Sequence, residues 1–273
     1  MSSFICPFCK QSLNKADSRY VCVNNHSFDI AKEGYIHLLP VNKMHSKIPG
    51  DTKEMVKARS EFLNAGYYLV FSDALNEIAL KFISDEAVIT DAGCGEGYYT
   101  KRLYDYLIGH NRKINLNAFD ISKFAVKAAA KRDKNIHFAV ASIFDIPIEN
   151  ETVDLVINIF APIVDKEFLR ILKPKGKLII AVPGEYHLWG LKKLVYEEPY
   201  INEYKETEYN GFRFIDRISV KDNIELTCGN MVNNLFSMTP YYWKTDKKGS
   251  EKVKNCEKLS TRIHFDFLVY EKE

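Results

Sequence analysis

Nowhere in the 273 residues does an apolar run approach the roughly 20 residues that a membrane-spanning helix needs. The opening stretch MSSFICPFCK also lacks the basic segment and apolar core of a secretory leader. The expectation is a cytoplasmic protein with no membrane partner. Charge is nearly balanced, with 38 Lys and Arg against 36 Asp and Glu, and a net charge of +2 does not argue for nucleic acid by itself. Local runs at Lys43–Lys57, Lys123–Arg132, Lys192–Lys193 and Lys244–Lys248 are more basic, and read first as solvated helix faces or loops. Six cysteines in such a setting argue against a disulfide framework. What is present is ample apolar material: 46% hydrophobic and 27% charged residues can bury the core of one ordinary domain with a small appendage.

The cysteines are unevenly spread. Cys6, Cys9 and Cys22 fall in the first tenth of the chain with His26 close behind, in the spacing C-x2-C-x12-C-x3-H. Two thiolates two residues apart grip one side of a tetrahedral ion, and a short hairpin returning through RYVCV brings the second pair to the other side. Thiolate and imidazole donors select zinc, or iron, over hard cations. Four protein ligands close the site, so the ion is expected to be structural. The segment holds few apolar residues, so its folding is expected to be coupled to the metal. Cys94, Cys228 and Cys256 are scattered, and no redox role is read into them.

The most informative decapeptide is DAGCGEGYYT, Asp91–Thr100. AVIT (Ala87–Thr90) before it is β-branched and apolar, as a buried parallel strand should be, and YYTKRLYDYL after it has helical spacing. Gly93, Gly95 and Gly97 lie between, at alternate positions where side chains would keep a ligand from the backbone. Strand, glycine turn and helix make the nucleotide-cradling unit of doubly wound α/β folds. G-x-G-x-G is not the G-x-G-x-x-G of nicotinamide dehydrogenases, which also place their turn near the chain start.

Further strands are expected at Ile114–Asp120, Ile136–Ser142, Thr152–Pro162 and in LIIAVPG after the KPKGK turn, with a helix near Asp165–Leu172. Asp120 ends the second strand, where an acidic residue accepts from both hydroxyls of a ribose. It can also cap the next helix, a role that Ser122 can fill instead. Ser142 and Ile143 fall where an adenine edge is held, and Asn158–Pro162 face the ligand crevice.

The set CPFC…C…H, AKEGYIHLLP (Ala31–Pro40), PGDTKEMVKARSEFLNAGYY (Pro49–Tyr68), DAGCGEGYYT, VPGEYHL and SMTP (Ser237–Pro240) resembles, in order and over nearly the whole chain, the zinc-containing 23S ribosomal RNA (guanine-N1)-methyltransferases. The resemblance implies a class I methyltransferase: an α/β, Rossmann-like, doubly wound, mostly parallel seven-stranded sheet with a small N-terminal zinc-binding module. The implied organisation is a zinc-binding RNA-recognition module at 1–40, a helical linker or lid at 41–84 and a methyltransferase domain at 85–273. It implies S-adenosylmethionine as methyl donor, structural Zn2+ on Cys6, Cys9, Cys22 and His26, and 23S rRNA or a large-subunit precursor as partner, with a homodimer as family habit. By position it places Tyr68 over the cofactor, Gly93, Gly95, Glu96 and Gly97 in the cofactor loop, Asp120 on the ribose and His187 near the cofactor. Core packing is the other reading of Tyr68, and a helix-start cap that of His187. Asp165 and Glu197 are the candidate bases, each reading first as a surface carboxylate, and no catalytic residue is assigned. Phosphates would meet the zinc module and the Lys43–Arg59 region. Methylation of another RNA or a small molecule, and an RNA-binding relative without activity, are the alternatives. Nothing decides between the two neighbouring guanines on which family members act. The chain after Lys244 reads only as sheet-completing strands, and IELTCGNMVNNLF as helical.

Overall fold

The structure is a computed structural model describing residues 4–44, 46, 49–203 and 207–273. Lys47, within the basic run from Lys43, lies outside the described residues. Near the N-terminus β1 (Asn14–Ala16), β2 (Arg19–Val21) and β3 (Ser27–Asp29) form an antiparallel meander. β4 (Ile36–His37) follows, then helices α1 (Lys53–Asn64) and α2 (Leu69–Phe82). The alternating part runs β5 (Glu86–Ala92), α3 (Tyr98–Gly109), β6 (Lys113–Asp120), α4 (Lys123–Arg132), β7 (His137–Val140), β8 (Val153–Ile159), α5 (Asp165–Ile171), β9 (Leu172–Pro183) and α6 (Trp189–Val195). It closes with β10 (Phe212–Leu226), α7 (Gly229–Ser237), α8 (Tyr241–Lys244), α9 (Lys247–Lys254) and β11 (Leu259–Lys272).

The large sheet has the order β10-β11-β9-β8-β5-β6-β7-β4. From β4 to β9 every pairing is parallel, and β11 enters antiparallel beside β9 with β10 antiparallel beyond it. Seven strands, β5 to β11, carry the class I methyltransferase topology. The eighth, β4, comes from the N-terminal segment, so the sheet is one strand wider than the family pattern implies. β5 lies at the centre and is covered on both faces: Ala87, Ile89 and Ala92, with the polar Thr90 and Asp91, are all buried. The chain runs outward to β7, then returns to β8 on the other side of β5. That reversal opens a crevice at the carboxyl ends of β5 and β8.

Helix ends follow local chemistry. Thr52 Oγ1 accepts from the Met55 N–H at 3.3 Å, and Ser122 Oγ accepts from the Ala125 N–H at 3.2 Å. The KPKGK turn loops out within the start of β9, where the register jumps from Leu172 to Lys177 against β8. Two expectations fail. IEL belongs to the end of β10, and the helix begins only at Gly229; β10 alternates mostly exposed residues, as an edge strand does, so no apolar run marks it. The chain after Lys244 forms helix α9 before the single strand β11.

The N-terminal segment is not a separate ball. The Ile5 N–H donates to Pro147 O and the Leu38 N–H to Val140 O, each at 2.9 Å. Phe4, Leu13, Ile36 and Leu38 share an apolar cluster with Ile146 and Ile148 of the large domain.

Candidate metal centre and cofactor site

Cys6 and Cys22 each open a tight turn, closed by the Lys10 N–H on Cys6 O at 2.9 Å and the Asn25 N–H on Cys22 O at 3.0 Å. Lys10 and Asn25 both take positive φ, at 60° and 61°, which points the preceding side chains back into each turn. The β1–β2 hairpin sets the turns face to face. The ligand atoms of Cys6, Cys9, Cys22 and His26 lie within 4.8 Å of one another. Cys9 Sγ is 3.6 Å from Cys22 Sγ, and His26 Nδ1 is 3.4 Å from the sulfurs of both Cys6 and Cys22. A tetrahedral zinc with bonds of about 2.3 Å to sulfur and about 2.0 Å to nitrogen needs edges of about 3.8 Å and about 3.5 Å. The four donors fit that ion through Nδ1 of the histidine. Backbone hydrogen bonding at Gln11, ahead of other effects, brings the Cys9 thiol down to about 6, which favours the thiolate a metal requires.

The three glycines of the decapeptide do different work. A Cβ on Gly93 would stand 2.5 Å from Ala161 Cβ, and one on Gly97 only 2.7 Å from Ala129 Cβ and 2.9 Å from Ala129 Cα. Both are packing glycines. A Cβ on Gly95 would meet nothing within 4 Å, so only this one faces open space where a ligand can lie against the backbone. Across from it stands Asp120, whose Oδ2 accepts from the Gly95 N–H at 3.0 Å and whose Oδ1 accepts from the Ser122 N–H at 2.8 Å. Each carboxylate oxygen keeps a lone pair for a hydroxyl donor. Ser122, not Asp120, caps α4.

Glu96 is buried, and its Oε2 accepts from Ser60 Oγ at 2.9 Å and from Arg132 Nε at 2.9 Å. Its carboxylate ties the loop to α1 and α4, and it does not line the cavity described next. Ser142 Oγ accepts from the Phe144 N–H at 3.2 Å, shaping the turn after β7. Asp91 is buried, accepts from Thr100 Oγ1 at 2.6 Å, and is raised to about 7 by burial first and by the Asp120 charge.

A cavity of about 650 Å³ opens at the carboxyl ends of β8 and β9. Asn158, Phe160 and Ala161 form its floor, and Arg59, Tyr68 and Tyr99 one wall. It reaches the glycine turn through Ala161, against which Gly93 packs. Tyr68 is buried, edge-on to Phe265 at 5.0 Å and to His187 at 6.3 Å, so it packs in the core and lines the cavity at once. His187 Nδ1 accepts from the His264 N–H at 3.3 Å. Burial above all, with Lys192 nearby, holds His187 down to about 3, so the ring is neutral with its hydrogen on Nε2. Phe160 is 44% exposed at φ 53°, a strained position for an aromatic residue, and its ring stacks on Phe71 at 5.5 Å. Three residues that line this cavity each carry a buried polar atom with no partner among the described residues: Arg59 Nε, Tyr99 Oη and Asn158 Oδ1. Such groups await a ligand or water.

Neither candidate base reaches the cavity: Glu197 pairs with Lys248 at the surface at 2.7 Å, and Asp165 lies in the first turn of α5. Lys192 is not a solvated cation. It is fully buried and donates to Tyr200 O at 2.9 Å and Asn202 Oδ1 at 2.7 Å, pinning a loop of the cavity wall. In the Lys43–Arg59 region, Lys43 pairs with Asp145, and Arg59 with Asp51 at 2.7 Å. Tyr99, Tyr200 and Trp243 are among the cavity residues that sequence reasoning missed. Only SMTP beside Trp243 carried a local signal.

Residues 83–244 match the family described as "Methyltransferase domain", and residues 4–47 match the zinc-ribbon family described as "RlmA, N-terminal". The "Putative 23S rRNA (guanine-N(1)-)-methyltransferase" of Micromonospora griseorubida is 35% identical over 202 residues, 67% of this chain and 66% of that one. The 23S rRNA (guanine(748)-N(1))-methyltransferase of Streptomyces fradiae is 32% identical over 186 residues, 67% of this chain and 64% of that one. The chain thus spans just under two thirds of the length of these two relatives. YxjB of Bacillus subtilis (strain 168), which carries the first of those names, is 27% identical and covers 98% of this chain and 96% of its own. Among solved structures the [4+2]-cyclase SpnF has a TM-score of 0.50 at 14% identity, covering 83% of this chain and 99% of that chain, a likeness of fold alone.

Proposed function

Since the chain belongs to the methyltransferase-domain family, we propose that it transfers a methyl group from S-adenosylmethionine to N1 of a guanine in a 23S rRNA domain II hairpin loop. The observation that carries this reading is the continuity of two features. The Gly95–Asp120 cradle fits a nucleoside, and it abuts a cavity with unpartnered polar groups at the end of β8. Gly95 and Asp120 hold the cofactor, Ser142 stands at its adenine edge, and Tyr68 and His187 face its reactive end. Gly93, Gly97 and Glu96 act one step back, by packing and clamping that loop. Bound cofactor supplies a methyl group on a sulfonium, whose sulfur is its own leaving group. The protein's work is therefore alignment and control of the acceptor's proton. Guanine N1 lies on the Watson–Crick edge and must leave its pair. Phe160, half-exposed at the cavity floor, and Trp243, 70% exposed at its rim, offer surfaces for an extruded base and its neighbour.

The chain from 1 to 40, with its zinc, is the RNA-recognition module in this reading; 41–84 forms the lid and 85–273 the catalytic domain. Phe8 stands 58% exposed, its ring 5.2 Å from that of the ligand His26. It presents a stacking face beside the metal. The zinc holds that surface in shape. Cys6→Ser or His26→Ala is expected to weaken RNA binding far more than cofactor binding; full RNA affinity in a folded variant would reduce the module to a staple. The test of the whole assignment is primer extension on 23S rRNA treated with enzyme, with and without S-adenosylmethionine, because N1-methylguanine blocks pairing and stops reverse transcription. A cofactor-dependent stop in the domain II hairpin is the expected result, and its absence would sink the assignment.

A further inference from the structure

Asn158 is 1% exposed at the tip of β8, and its amide orientation is fixed. Nδ2 donates to Ala92 O and to Pro162 O, each at 3.2 Å, so both amide hydrogens are spent. What remains is Oδ1, buried and without a partner among the described residues, on a residue of the cavity floor. An acceptor left unmet in a buried place is costly, and a ligand donor that meets it recovers that cost. His187 supplies the opposite character. Its Nδ1 is taken by the His264 N–H, which leaves Nε2–H as the donor of a ring that lines the same cavity. The two residues are brought together by neighbouring strands: Asn158 is in register with Ile180 of β9, and His187 lies in the turn shortly after β9 ends.

We propose that these two residues read the Watson–Crick edge of the extruded base, Asn158 Oδ1 accepting from the exocyclic amine and His187 Nε2–H donating to O6. The proposal rests on the guanine-methylating reading above. One acceptor and one donor suit guanine, which offers an amine hydrogen on one side of N1 and a carbonyl oxygen on the other. Adenine presents an amine where guanine has O6, and would set a donor against the His187 donor. N1 lies between the two contacts, free to face the methyl group. In the step itself N1 gives its proton to water, and its electron pair forms the bond to the methyl carbon. The carbon–sulfur bond breaks with its pair passing to sulfur. The His187 donor opposes the negative charge that gathers on O6 as the proton leaves.

The experiment compares kcat/KM for hairpin RNAs carrying guanine or inosine at the target position, since inosine lacks only the amine. Wild-type enzyme should prefer guanine by at least about tenfold. Asn158→Ala should bring the guanine-to-inosine ratio of kcat/KM from at least about tenfold down to near one, while S-adenosylmethionine affinity, by calorimetry, stays within about twofold. Equal losses on both bases would make Asn158 a support for Ala92 and Pro162 only. A large loss of cofactor affinity would make its partner the cofactor. Either result overturns the proposal, as does a wild-type enzyme that treats guanine and inosine alike, a comparison that needs no variant to fold. His187→Ala should move the pH–rate profile upward, because N1 then loses its proton unaided, and an unmoved profile would remove His187 from the pair. If wild-type enzyme failed to methylate the guanine hairpin at all, the assignment of function would fall, an outcome distinct from the others.

Discussion

Replacing Gly97 by alanine and, separately, Gly95 by alanine should divide one loop into its packing and its binding parts. At Gly97 the new Cβ lies 2.7 Å from Ala129 Cβ and 2.9 Å from Ala129 Cα, at a φ of 81°. The left-handed backbone costs an L-residue about 1–2 kcal/mol. Overpacking against a helix backbone that cannot yield adds about 1–3 kcal/mol. Gly97→Ala should therefore destabilise the fold by about 2–5 kcal/mol. At Gly95, φ is 54° and nothing lies within 4 Å, so only the backbone cost of about 1–2 kcal/mol applies. Urea denaturation followed by circular dichroism reads the difference. With a slope of about 2 kcal/mol per molar, Gly97→Ala should lower the midpoint by about 1–2.5 M and Gly95→Ala by about 0.5–1 M. Calorimetry with S-adenosylmethionine should rank the variants in reverse, Gly95→Ala losing affinity most in protein that is still folded. Equal loss of stability in both variants, or full cofactor affinity in Gly95→Ala, would refute the division.

Arg132→Ala strips Glu96 of the guanidinium on its buried Oε2 and should cost about 3 kcal/mol in chemical denaturation, part of it recovered by adding Glu96→Gln; no recovery would show that the arginine matters through packing alone. Asp91 gives a pH signature. Its folded carboxyl is raised to about 7, so between about pH 4 and pH 7 the folded state holds a proton that the unfolded state has released. Stability should fall as pH rises through that window, by up to about 4 kcal/mol at 1.36 kcal/mol per pH unit. Asp91→Asn should flatten this slope in denaturation curves taken at pH 5 and pH 7.5, and an unchanged slope would assign the dependence to other groups.

The parts of the site legible in the sequence are those whose chemistry is local. A metal tetrad declares itself by spacing, and a glycine turn by the strand before it and the helix after it. Asp120 and Ser122 both stood out because capping and ligand positions are a matter of a few residues, and the folded chain gives the cap to Ser122. The cavity is different. Arg59, Tyr99, Tyr200 and Trp243 arrive from four separate stretches of chain, each an ordinary residue in its own neighbourhood. Lys192 is the sharpest case: beside Lys193 it reads as a solvated pair, yet the carbonyl of Tyr200 and the amide of Asn202 draw it fully inside. Glu96 looks like part of a ligand loop by position, and only the folded chain reveals that Arg132 and Ser60 claim it. β10 escaped because an edge strand of alternating exposed residues leaves no run of apolar side chains to read.

The strand β4 is two residues long, yet it is what covers the outer edge of β7. Its place there depends on a segment held on one side by the cysteine–histidine cluster and on the other by Phe4, Ile36 and Leu38 packing under it. A chain deprived of its ion would do more than lose a folded appendage. It would uncover a sheet margin together with the apolar residues beneath, an invitation to stick to other copies. Metal supply would then set how much of the protein stays in solution, before it bears on the RNA recognition proposed for the module.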